Sequence, residues 1–181
     1  MTTVSSSPGT GGWGEGPEVL LPYLDGLPDV DTYLTIDGVT GSATDQLHED
    51  WIEVQSFSWG ISTAAPAVVR GSGRRRGRSA LSALAVRTRL DASGPELFRA
   101  AAQGRAFPSA VVECADAGRP VSLVIELKNV TVSSYRLASV GTTPVQVFDL
   151  HAERLEFTHR TLAEDGSTRG EVSHAWDVQQ A

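Results

Sequence analysis

The chain has 181 residues, enough for one domain that buries about 70% of its unfolded surface. Its apolar share of 40% is that of an ordinary globular protein, and no run of roughly 20 apolar residues is present to span a membrane as a helix. The net charge of −7 is uneven: five of the 15 bases fall between Arg70 and Arg78, leaving 10 bases against 22 acids elsewhere, a balance that argues against nucleic acid as a partner.

The N-terminal run MTTVSSSPGTGGWGEG has neither a basic n-region nor an apolar h-region, so no cleaved secretory signal is expected. If the protein leaves the cell, its route does not read such a signal. Ser, Thr, Gly and Pro dominate residues 1–30, which read as a flexible extension ahead of a domain over 31–181. Within it, LLPYLDGLP (Leu20 to Pro28) is apolar enough to dock, either as a strap on the domain's own surface or as a linear motif for a partner.

From Tyr33, the pattern becomes that of strands. Tyr33, Leu34 and Ile36 lead into Asp37-Gly38, a turn signal because Gly tolerates positive φ. The excursion from Gly41 to Asp50 carries Asp45, His48, Glu49 and Asp50, too polar for a core. Trp51, Ile52 and Val54, then Phe57, Trp59 and Ile61, return the chain to a sheet, with a change of parity between the two sets. An ordered loop this long inside a β domain is a functional candidate.

Arg70, Arg74, Arg75, Arg76 and Arg78 follow, interleaved with glycines. They read as a solvated loop, as an electropositive patch for an acidic partner or cargo, or as a nucleic-acid contact; no aromatic residue is interleaved to stack on a base. The run GSGRRRG matches neither G-x-G-x-x-G nor the Walker pattern, so it is not read as a phosphate loop.

Leu84, Val86, Thr88 and Leu90 share one face of a half-buried strand. The one convincing helix starts near Ser93, with Glu96 completing a capping box and Pro95 in the first turn. Its expected apolar stripe is Leu97, Phe98, Ala101 and Ala102, and Gly104 ends it. Cys114, the single cysteine, lies in the strand-like FPSAVVEC and reads as a buried, inert thiol. In VSLVIELKNVTV, the alternation of Leu123, Ile125 and Leu127 changes parity by Val130 and Val132, which predicts a bulge or a strong bend. Val145 to Phe157 and Ser173 to Val178 supply the last strands, with a turn at Glu164-Asp165-Gly166. The fold class is therefore mainly β: a barrel or two-sheet sandwich with one packed helix and a long extended loop.

Chemistry finds little support. The acids and His48 of the long loop invite a ligand set or an acid–base pair of His48 with Asp50, but metal sites need three or four convergent ligands. His151 and His159 stand eight residues apart on one strand, and Glu153 and Glu156 point to opposite faces of it. No G-x-S-x-G elbow is present. The expectation is no metal, no cofactor and no enzyme.

The run HEDWIEV…FSWG (His48 to Gly60) closely resembles the hemolysin-coregulated (Hcp) family of the type VI secretion apparatus. Similar matches are DASGPELFRAAAQGR, FPSAVVEC, VSLVIELKNVTVSSYRL, VFDLHAERLEFTHR and the closing AWDVQQA, so the resemblance covers roughly residues 31–181. It implies a homohexameric ring that stacks into a tube, sheathed, tipped by a spike and able to hold effectors in its lumen. It also implies a protein made in the cytoplasm and then secreted. Under this resemblance, Thr44, His48, Asp50 and Trp51 are the expected ring-stacking surface, with Trp51 as the anchor or else packed into its own barrel. The first 30 residues and the Arg-rich run depart from the family pattern. They leave open a second reading, a stand-alone hexameric ring that carries cargo without a contractile machine.

Overall fold

The computed structural model describes residues 30–63, 79–116 and 118–178. Alternating apolar and polar residues build the main sheet, whose strands pair antiparallel throughout. In chain order these are β1 (Val30–Ile36), β2 (Ile52–Glu53), β3 (Ser56–Ser58), β6 (Leu84–Arg89), β7 (Ala106–Asp116), β8 (Val121–Val140), β9 (Thr143–Leu162) and β10 (Thr168–Asp177). A separate two-stranded ribbon joins β4 (Ile61–Thr63) to β5 (Ser79–Leu81). The spatial order is β2-β1-β7-β8-β9-β6-β3, with β10 paired to β9 beyond β6. The long strand β9 thus serves two partners on one edge, β6 along Val145–Leu150 and β10 along Arg154–Leu162.

The sheet curls into a half-barrel because one segment touches both of its ends. Ile52 and Glu53 pair with β1, while Ser56–Ser58 pair with β6. The change of partner falls between Val54, whose N–H donates to Thr32 O at 2.9 Å, and Gln55, whose N–H donates to Arg87 O at 2.9 Å. This is where the parity of Ile52 and Val54 gives way to that of Phe57 and Trp59. A second change of face crosses three neighbouring strands at one level. Ala110, Leu127 and Leu155 line the core in register, and one step along so do Phe107, Val130 and Ala152. Between them Asn129 adopts φ 51°, and further along Ser133 is left out of the β8–β9 register. The predicted bend is therefore real, and it curves the sheet around a core of Leu34, Ile36, Phe107, Ile125, Leu127 and Phe148.

Helix α1 (Gly94–Gln103) packs on β8. Gly104 at φ 63° ends it, with Arg105 N–H donating to Ala100 O at 3.0 Å. Its start corrects the expected capping box. Ser93 already has helical φ and ψ and makes no side-chain cap; its hydroxyl donates to Asp91 Oδ1 at 2.5 Å. Glu96 binds Arg99 and Arg105 instead of reaching back. The expected stripe is also corrected. Gly94, Leu97 and Ala100 are buried, while Phe98 is 61% exposed and Ala102 is exposed. Rotation is set at Gly94, where a Cβ would lie 2.7 Å from Leu90 Cδ1 and 2.9 Å from Gln146 Oε1. Leu84, Val86 and Thr88 are buried as expected, but Leu90 stands exposed at the end of its strand. The Glu164–Gly166 turn forms, with Gly166 at φ 82° and Ser167 N–H donating to Asp165 Oδ1. No described helix is long and apolar enough to cross a membrane.

Candidate functional site: the loop around His48

The polar excursion is an ordered loop closed by its own backbone. Gly41 N–H donates to Asp50 O at 2.6 Å, Asp50 N–H to Ala43 O at 3.0 Å, and Ala43 N–H to Trp51 O at 2.9 Å. At its tip Asp45 Oδ1 accepts the N–H groups of Leu47 and His48 at 3.0 and 3.2 Å, an Asx turn. The base is tight: a Cβ on Gly41 would meet the Trp51 carbonyl and approach Ile52 N within 2.6 Å. Asp50 takes φ 63°, a conformation that Asp tolerates better than most residues.

His48 is the centre of this loop, and it is buried to 5% exposure. Its Nδ1 lies 2.8 Å from Asp45 Oδ1 and its Nε2 lies 3.0 Å from Glu113 Oε2. The ring stacks on Tyr33 at 4.2 Å and 7°, and meets Trp51 edge-on at 4.9 Å and 79°. Tyr33 and Glu113 are register partners on β1 and β7. Their neighbours Leu34, Val112 and Cys114 point into the core, so the loop covers the opposite face of the sheet. The hydrogen bond from His48, with the Leu47 N–H behind it, holds the Asp45 carboxyl below its ordinary range. Burial, followed by the charges of Asp45, Asp31 and Glu53, pushes the Tyr33 phenol up.

Of the residues expected at a stacking surface, Thr44 and Asp50 are exposed, Trp51 is half-buried and His48 is turned inward. The acid–base pairing of His48 with Asp50 is not made; Asp45 and Glu113 take both ring nitrogens. Asp45 was missed in the sequence as the partner, although an Asx residue three positions before His48 is a local signal for it. Glu113 left no local signal, because 65 residues separate the partners. Arg70, Arg74, Arg75, Arg76 and Arg78 lie outside the described residues, as does Leu20–Pro28. A polar cleft of about 260 Å³ opens beside the loop base, between Ser42, Glu53, Gln55, Thr88, Arg89 and Asp91. Among the described residues no group of three or more His, Cys, Asp or Glu side chains is arranged to hold a metal ion.

The family model described as "Type VI secretion system effector, Hcp" matches residues 33–160. Among solved structures, one described as a type six secretion system protein is 25% identical, covers 84% of this chain and 98% of its own, and superposes with a TM-score of 0.76. Hcp1 from Salmonella typhimurium is 21% identical over 85% of this chain and 97% of its own, with a TM-score of 0.71. A type VI secretion system effector from Yersinia pestis is 17% identical over 82% and 100%, with a TM-score of 0.68. No curated protein matches the chain.

Proposed function

We propose that this chain, which belongs to the Hcp family of type VI secretion proteins, is a structural subunit that forms hexameric rings and stacks them into a tube able to carry effectors. The family match over residues 33–160, which spans the His48 loop and most of the curled sheet, is the observation that carries this reading. In it the chain is no enzyme, and its work is assembly. Residues 31–181 are the ring-forming domain and residues 1–30 an appendage. Sheet edges meet side by side within a ring, and the loop faces the next ring through Thr44, Asp50 and the exposed part of Trp51. His48 serves the same surface from within. Arg70, Arg74, Arg75, Arg76 and Arg78 form the basic element for an acidic partner or cargo. The protein is made in the cytoplasm and leaves through the apparatus, in contact with sheath, spike and effectors, without a cleaved signal.

Electron microscopy of the purified protein, paired with native mass measurement, tests the reading. Six-membered rings that stack at high protein concentration support it; a monomer at every concentration refutes it. Rings of six that never stack favour the stand-alone carrier, a reading to which the extra N-terminal residues and the Arg-rich run give weight. Trp51→Ala separates the loop's role from the ring's, since intact rings with unchanged stacking would remove Trp51 from the interface.

A further inference from the structure

We propose that His48 is a charged clamp: its imidazolium holds the loop of residues 41–51 onto the outer face of the sheet, and loss of one ring proton releases it. Both ring nitrogens face carboxylate oxygens, Asp45 Oδ1 at 2.8 Å and Glu113 Oε2 at 3.0 Å. An ionised carboxylate only accepts, and a neutral imidazole has a single N–H. The neutral ring would therefore set one lone pair against a carboxylate. The two contacts form together when both nitrogens carry hydrogen.

The surroundings point the same way. The acids against the ring are Asp45 on the loop and Glu113 on β7, and the Tyr33 phenol on β1 stacks on it. Asp31 acts on that phenol, and Glu49 and Asp50 follow His48 along the loop, both exposed. Glu53 stands across from Tyr33 on β2. No Lys or Arg occurs in residues 30–53 or 106–116, so His48 is the one basic side chain on the loop and the three strands beneath it. An imidazolium stacked on Tyr33 also gains the attraction of a cation for a ring face. Asp45 spends the same oxygen on two backbone N–H groups, which favours its ionised form and fixes the tip of the loop.

The direction of the pH dependence follows. The clamp is closed while both ring nitrogens carry hydrogen and opens once rising pH removes one of them. On the acid side it weakens as Asp45 protonates, below the ordinary value of 3.8 because that carboxyl is held down. The clamp is a property of one subunit. Its effect on ring stacking rests on the assembly reading above.

The test is nitrogen-resolved NMR of the His48 ring, with amide exchange at Ala43, Asp50 and Trp51, on the full chain between about pH 5 and pH 8, the range in which an ordinary imidazole changes charge. Expected are two protonated ring nitrogens at the lower end. Exchange of those three amides, corrected for intrinsic rates, should then quicken at least tenfold as the ring loses a proton. His48→Gln, whose two N–H donors sit on a single nitrogen and whose oxygen only accepts, cannot span the two acids and should exchange fast at every pH. Glu113→Gln should stay slow at every pH, because its amide can donate to the Nε2 lone pair of a neutral ring. A single protonated nitrogen at the lower end, or protection unchanged through the ring's titration, overturns the clamp. Stacking is read separately by electron microscopy on the same samples. A clamp that titrates without any change in stacking leaves the clamp standing and counts against the loop as the ring contact.

Discussion

Asn129 donates its side-chain amide to Glu153 Oε2 at 2.8 Å, tying β8 to β9 at the level where three strands turn their side chains over. Asn129 does so from φ 51°, in the left-handed region where a Cβ is crowded and where Asn is better tolerated than branched residues. Replacement by Gly removes the crowding and should leave stability within about 0.5 kcal/mol of the parent. Replacement by Val should cost roughly 1–2 kcal/mol, the penalty of holding an L-residue there. Urea unfolding of the two variants gives the difference. An equal loss for both would mean that the side-chain bond, and not the backbone, carries the bend.

Gly41 makes a second, sharper demand. Its φ is ordinary, but a Cβ would strike the Trp51 carbonyl, which is backbone and cannot swing away. Gly41→Ala should therefore open the base of the loop while leaving the sheet in place, at a cost of about 1–3 kcal/mol for overpacking. The readout is faster amide exchange at Ala43, with β7 and β8 amides unchanged. Uniform loosening of all of them would show that the loop and the sheet open as one unit.

Local signals were readable in the sequence wherever the cause was local. Asp37-Gly38, the parity change around Asn129, the Gly104 helix stop and the Glu164–Gly166 turn each follow from backbone chemistry within a few residues. The misreadings share a different origin. Ser93 looked like a cap, yet Gln146, 53 residues away, draws it and Asp91 into one buried polar cluster. Phe98 looked like core, yet the close packing of Gly94 on Leu90 and Gln146 rotates it outward. The loop's acids are exposed as its polarity suggests, but His48 is buried, and the residue that explains its burial, Glu113, stands on a strand that pairs with β1 only in the folded chain.

Gln146 is fully buried. Its Nε2 lies 2.9 Å from Asp91 Oδ1 and 3.2 Å from Ser93 Oγ, and its Oε1 accepts from the Tyr135 hydroxyl at 3.1 Å. Gln146→Leu keeps the volume but strands these partners, at about 1–3 kcal/mol. Gln146→Glu should be worse at neutral pH, since a carboxylate would face Asp91, and should recover as pH falls and the new carboxyl takes a proton. Thermal melts of both variants at pH 5 and pH 8 check the crossing; a Leu variant as stable as the parent would remove the cluster as the device that seats α1.

Cys114 is 5% exposed in the core lining of β7. Burial pushes its thiol up; the Thr32 hydroxyl, 3.6 Å from Sγ, pulls partly against this, and the Glu113 charge adds to the rise. A thiolate is the reactive form, so native labelling by an aromatic disulfide should be slower than in denaturant by at least about a hundredfold at pH 8. Labelling at the denatured rate would show that β7 opens freely at its β1 edge.

On the acid side, three carboxyls share one linkage. Asp45 is held down first by the His48 side chain, Glu96 first by Arg99, and Asp165 first by the Ser167 side chain. Each gives up its proton more readily folded than unfolded. Its contribution is therefore complete above the ordinary values of 3.8 for the aspartates and 4.5 for Glu96, and it is lost as pH falls through the lower folded values. Because all three are open to solvent, salt should shrink the effect of the Glu96–arginine pairs most, while the short-range bonds to Asp45 and Asp165 persist. Melting temperature should thus be flat just above pH 4.5 and fall below it. Asp45→Asn keeps an oxygen for the Leu47 and His48 N–H groups but has no proton to take up, so its curve should start lower and fall less. A variant curve parallel to the parent's would show that Asp45 titrates alike in both states and that its bond to His48 adds nothing to the fold.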